Sequence, residues 1–114
     1  MLTRRKTDNY IRACLKAWMF CETCIRAELR YRISGEILMK KCRDCANACF
    51  TVVCKLMNQS VSVPEAALNC ILYCNECIEE CEKNPLAFDN ILCAETCRHC
   101  AESMRSLIVP QHLN

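Results

Sequence analysis

The stretch from Cys70 to Cys81, C-I-L-Y-C-N-E-C-I-E-E-C, limits what this chain can fold into more than any other. Its cysteines are spaced four, three and four residues apart. At about 100° per residue in an α-helix, Cys70, Cys74, Cys77 and Cys81 fall within an arc of about 60°. Glu76, Glu79, Glu80 and Glu82 fall outside it. The spacing predicts an amphipathic helix whose inward stripe is made of thiols instead of leucines. Cysteine is an acceptable small core residue, but it brings reactivity and metal affinity with it. Fourteen cysteines in 114 residues, about 12 %, need a chemical reason.

The rest of the composition narrows the class. One glycine and three prolines are too few for a loop-rich, disulfide-stapled fold, and they favour long helices. A length of 114 residues suits one domain, 1–114, with one core. A formal net charge of +2 gives no case for a nucleic-acid partner. No segment is long and apolar enough for a membrane span. Arg4, Arg5 and Lys6 could open an export signal, but Asp8, Arg12 and Lys16 interrupt the apolar region that should follow. The expectation is a cytoplasmic protein with reduced thiols.

Read in order, residues 1–6 form a flexible basic tail and Thr7 or Asp8 caps a helix that reaches about Arg32. Ser34-Gly35 breaks it, with glycine in the left-handed conformation. A second helix runs from Glu36 to about Asn58. Ser62 as cap, Pro64 in the first turn and Glu65 three residues after the cap start a third, which ends near Lys83. Asn84-Pro85 separates it from a fourth that continues to about Ile108, where Pro110 closes it and 109–114 form a C-terminal tail. Four helices with short connections predict an all-α, antiparallel up-down-up-down four-helix bundle with a cysteine-lined core.

In an antiparallel hairpin the position numbers of facing residues add to a constant, which sorts the cysteines into layers. Cys24, Cys42, Cys81 and Cys93 form one, and Cys21, Cys45, Cys77 and Cys97 the next. Cys49, Cys74 and Cys100 form a third, opposite Ala17. Cys14, Cys54 and Cys70 form the last, with Met104. Cys54 is the weak member, about 120° from the stripe of its own helix.

Several chemistries compete for such layers. Plain core filling is poorly served by cysteine, since Leu and Ile fill bundles better and do not oxidise. A disulfide-stapled helical scaffold or chaperone would use Cys77, Cys81, Cys93 and Cys97 and leave ten cysteines over. An iron–sulfur reading rests on two C-x-x-x-C-x-x-C runs, but these lie on helices and not in a loop. Zinc on four thiolates buries a net charge of −2 per site, with no basic residue on the stripes to offset it. Cu(I) is soft and monovalent, so one ion per thiolate leaves the core neutral. Asp, Glu and His are absent from the cysteine stripes, which disfavours hard metals. No catalytic site emerges, and the chain reads as a non-enzyme. His99 sits about 120° to 140° off the face of Cys97 and Cys100, the place of a surface or inter-subunit histidine.

The chain resembles the copper storage proteins, small cysteine-rich four-helix bundles. The likeness spans nearly the whole chain and is strongest in C-A-E-T-C-R-H-C-A-E-S-M, Cys93 to Met104. The resemblance implies storage or sequestration of many Cu(I) ions per chain, a reduced metal-free bundle, a cytosolic type, and a homotetramer.

Two further expectations concern assembly and access. Leu15, Trp18, Ile25 and Leu29, with Phe50, Val53 and Leu56 beside the thiols of the second helix, predict a self-association surface. The end holding Cys14, Cys54, Cys70 and Met104, with Met57 nearby, is expected to be where metal passes, because a neutral thioether holds Cu(I) loosely and hands it on.

Overall fold

Four helices and no strand make up the described residues, 2–32 and 34–108 of the computed structural model. They are α1 (Arg4–Tyr31), α2 (Glu36–Met57), α3 (Val63–Glu82) and α4 (Phe88–Ile108). The expected tail 109–114, Pro110 within it, and Ile33 in the first turn lie outside the described residues.

α1 starts earlier than its sequence suggests. Thr3, extended at φ −70° and ψ 158°, caps it, and its Oγ1 accepts the Lys6 N–H at 3.1 Å. That bond satisfies an otherwise orphan amide, so Arg4 to Lys6 form the first helical turn and not part of a flexible tail. The other end differs too. Arg32, not Gly35, takes the left-handed conformation (φ 52°) that stops α1, and its N–H donates to Glu28 O at 2.8 Å. Gly35 instead stands at the head of α2 with φ 92° and ψ −179°, a region that only glycine occupies readily. With no side-chain cap of its own, this turn is held by Glu28, whose carboxylate accepts the N–H groups of Ser34 (2.6 Å) and Gly35 (2.7 Å).

Ser62 does precede α3 and Pro64 lies in its first turn, but the serine does not cap with its hydroxyl. At ψ 15° its side chain turns to Ser60 Oγ, 2.8 Å away. The preceding reversal is centred on Gln59, which is left-handed at φ 53°.

Each helix packs on the two next to it: α1 on α2 and α4, α3 on α2 and α4. Facing sulfurs between α2 and α3 are Cys42–Cys77, Cys45–Cys74 and Cys49–Cys70 at 3.7–3.8 Å, rising on one helix and falling on the other. Along α1 and α4, Cys24 meets Asp89 and Asn90 while Cys14 meets Cys100 and Met104. This is the order that antiparallel neighbours produce. The core is narrow because it is built of Cys and Ala, with larger side chains such as Leu38, Val52, Leu56 and Leu107 toward its ends.

Candidate metal centre

The helical period turns thirteen of the fourteen cysteines to the bundle axis, where they are buried, and all fourteen are free thiols. Three sets of four stand out: Cys24, Cys42, Cys81, Cys93; Cys21, Cys45, Cys77, Cys97; and Cys49, Cys70, Cys74, Cys100. Within each set the sulfurs lie within 4.8 Å of one another. Between and within sets, neighbouring sulfurs approach to 3.7–4.0 Å, so a continuous sulfur column runs along the axis. Those separations are nearly twice a disulfide bond, and close enough for two sulfurs to bridge one soft ion.

Two of the expected layers occur with the expected members. The third gains Cys70, which touches Cys49 (3.7 Å), Cys74 (4.0 Å) and Cys100 (3.9 Å). The fourth does not assemble. Cys14 is left with Cys100 (3.8 Å) and with Met104, to whose thioether its S–H donates at 3.9 Å. Cys54 is exposed on the outer face of α2, as its offset of about 120° requires, and is no member of the column. Met57, expected at the rim, is 69 % exposed, while Met104 is fully buried. His99 is exposed, off the thiol face. Of the apolar residues expected on a self-association surface, Ile25, Val53 and Leu56 are buried, whereas Leu15, Trp18, Leu29 and Phe50 remain exposed. The Trp18 and Phe50 rings sit 6.3 Å apart across α1 and α2.

The stripes are not free of oxygen donors. Glu28 continues the line of Cys21 and Cys24, and Asn90 continues that of Cys93 and Cys97, at spacings of three, four and seven. They are the two buried polar residues among those described, at 6 % and 4 % exposure. Both went unread in the sequence because a polar side chain on a thiol stripe looks like an interruption, although helical spacing points them inward. Cys24 bonds to this group through its S–H, which donates to Asp89 O at 3.1 Å and faces Asn90 Oδ1 at 3.7 Å. Asn90 Nδ2 donates to Ser34 Oγ (3.1 Å), as does Asn84 Nδ2 (3.1 Å). The opposite end has Leu56 and Leu107 in the core beyond Cys14 and Met104, with Leu2, Tyr10, Val63 and Ile108 packed against it.

No cationic side chain is buried among the described residues. Cys24, Cys45, Cys70 and Cys77 are drawn below the ordinary thiol range by hydrogen bonds from neighbouring thiols, while the other nine buried thiols are raised and inclined to stay protonated. Cys14 is held far above the ordinary thiol range, first by its hydrogen bond with Cys100, then by that with Cys70, with burial adding. Cys49 is raised in the same way, led again by Cys100. A cation entering the column must displace protons, and an all-sulfur set of this kind suits a soft ion of low charge.

A family profile described as copper storage protein matches residues 3–109. The uncharacterized cysteine-rich protein YhjQ of Bacillus subtilis (strain 168) is 32 % identical over 96 residues, which cover 82 % of this chain and 85 % of that protein.

Proposed function

The chain belongs to the copper storage protein family, and on that premise we propose that it stores or sequesters Cu(I), many ions per molecule, on the thiolates of its sulfur column. The observation that carries this reading is a core of thirteen thiols with no buried cationic side chain among the described residues. Each Cu(I) that replaces a thiol proton leaves the core neutral, whereas a closed Zn²⁺ site on four thiolates adds two negative charges that nothing nearby offsets. The thirteen inward cysteines are the proposed ligands, with the Met104 thioether as a weaker donor beside Cys14. The ion is cargo, and no chemical step is asked of the protein beyond exchange of ligands. Reduced thiols are a condition of this function, which fits a reducing compartment such as the cytosol.

The expected capacity is about one Cu(I) per inward thiol, on the order of ten to fifteen ions. Anaerobic titration with Cu(I) against a chromophoric competing chelator measures it. Saturation at three or four ions would return the column to separate zinc-like sites. The exposed Leu15, Trp18 and Phe50 face is the proposed contact for self-association, up to the tetramer that the family resemblance implies. A monomeric mass by light scattering at micromolar concentration counts against it.

A further inference from the structure

The outward faces of the four helices are not alike. Those of α2 and α4 are largely polar, with Lys40, Arg43 and Asn47 exposed on one and Glu95, Arg98 and Glu102 on the other. α1 and α3 each expose an apolar pair instead: Leu15 and Met19 at 36 % and 54 %, Leu68 and Leu72 at 57 % and 52 %. A charge stands on either side of each pair. On α1 these are Arg12 and Arg26, and on α3 they are Glu65 and Glu79, all exposed. Both stripes are spaced three, four and seven residues apart, so each covers an arc of about 60°. They follow one pattern with the charge inverted. Among the described residues none of these four charges is ion-paired; the pairs present are Lys40–Asp44, Lys41–Glu76, Lys83–Glu80 and Arg98–Glu82.

α1 and α3 each pack on α2 and α4 and not on one another, so they stand at opposite corners of the bundle. As alternate members of an up-down-up-down order they run in the same direction. Their outward stripes point away from each other, and only a second molecule can bring them together. We propose that α1 of one molecule packs in parallel on α3 of a second copy, with Leu15 on Leu68, Met19 on Leu72, Arg12 beside Glu65 and Arg26 beside Glu79. Cys21 shares a level of the bundle with Cys77, and Cys24 with Cys81, so Leu15 is level with Ile71 or Leu72. The matched register therefore shifts the second copy along the axis by about one helical turn. Apolar burial supplies the attraction, and the charges select the partner, since α1 on α1 or α3 on α3 would oppose like charges. One like-charged pair, Arg30 with Lys83, falls at the end of the contact. There Arg30 lies over the Tyr31 ring at 5.9 Å, and Lys83 is held by Glu80 at 3.0 Å. With parallel helices on opposite corners, the step from one molecule to the next is close to pure translation. Such a heterologous contact does not close into a ring and builds an open row. It shares Leu15 with the contact proposed above but not Trp18 and Phe50, which meet across α1 and α2. No thiol takes part, so the row does not depend on the Cu(I) reading.

Sedimentation velocity of the reduced, metal-free full chain over a concentration series tests this. The wild-type average sedimentation coefficient keeps rising with concentration, and added salt lowers it. Met19→Glu and Leu72→Glu each weaken the association constant about tenfold. Exchange of the charges is the decisive arm. Arg12→Glu with Arg26→Glu makes both stripes acidic, and Glu65→Arg with Glu79→Arg makes both basic. Neither double variant forms rows alone, and an equimolar mixture of the two restores them. With Leu72→Glu added to the second variant, the mixture stops at a heterodimer, which general attraction between unlike charges would not produce. A wild-type mass that stays at one discrete value across the series overturns the proposal, as does a mixture that remains dissociated. Row growth that survives Trp18→Ser supports the α1–α3 contact separately from the one across α1 and α2, and row growth lost with Trp18 but indifferent to the charge exchange overturns it. Co-sedimentation with vesicles of anionic phospholipid that needs Arg12 and Arg26 but not Glu65 and Glu79, without rows in solution, gives the α1 face to a lipid surface and overturns it too.

Discussion

The two ends of the bundle solve one problem with different physics. Both must keep water from a column of thiols where four helices stop. At the end of Cys24 the closure is in good part directional: beside the buried Leu38, the side chains of Glu28, Ser34, Asn84 and Asn90 are joined by hydrogen bonds of 2.6–3.5 Å, and each partner has one place to be. At the end of Met104 it is volumetric, since Leu56 and Leu107 fill space against the core. A directional closure fails when one atom is removed, and a volumetric one fails in proportion to the volume lost. The first can open and close again by trading bonds with water, while the second has to be taken apart.

The comparison is sharpest at Leu107. Leu107→Ala is expected to destabilise the metal-free bundle by about 3 kcal/mol, the transfer and cavity cost of a core leucine. It shows as a lower denaturant midpoint with an unchanged slope. Glu28→Gln comes next, at about 2 kcal/mol, because it removes the charge from bonds to two backbone amides. A loss as small as that of an exposed glutamate would mean that Glu28 does not hold the α1–α2 turn, and the directional picture would break. Ser34→Ala is the smallest, at about 1 kcal/mol, one neutral acceptor lost between amides that can find water. If hydrogen exchange in the first turn of α4 does not rise in this variant, the latch is not coupled to Asn90.

Much of this was legible in the sequence, for definite reasons. Helical spacing alone put Cys70, Cys74, Cys77 and Cys81 on one face, and the rule for facing residues brought Cys21, Cys45, Cys77 and Cys97 together. The reading slipped where a turn sets the register. The layers above pair Cys49 with Cys74 across α2 and α3, whereas the chain reverses around the left-handed Gln59. The facing residues shift accordingly, so Cys49 meets Cys70 and the third set has four members. Gly35 was recognised as a break but not as the head of α2, because which residue turns left-handed depends on Glu28 holding the following amides. The polar closure could not be read from spacing alone. Asn84 and Ser34 come from two different turns, and their meeting with Asn90 is a matter of how the hairpins dock.

The pairing of sulfurs has one more consequence, best stated as connectivity. Taking each hydrogen-bonded pair of sulfurs as a link, Cys14, Cys49, Cys70, Cys74 and Cys100 form one cluster with Met104. Cys21, Cys42, Cys77, Cys93 and Cys97 form another. A single file joins them: Cys70 is linked to Cys74 at 4.0 Å, and Cys45 to Cys74 on one side and to Cys97 on the other, each at 3.7 Å. Inside either cluster several thiols have alternative neighbours, so many routes survive the loss of a node. Between the clusters there is no detour at this range. Traffic that steps along these links crosses the molecule in single file, through Cys70, Cys74, Cys45 and Cys97 in turn, and a substitution at any of the four divides the linked sulfurs into two reservoirs.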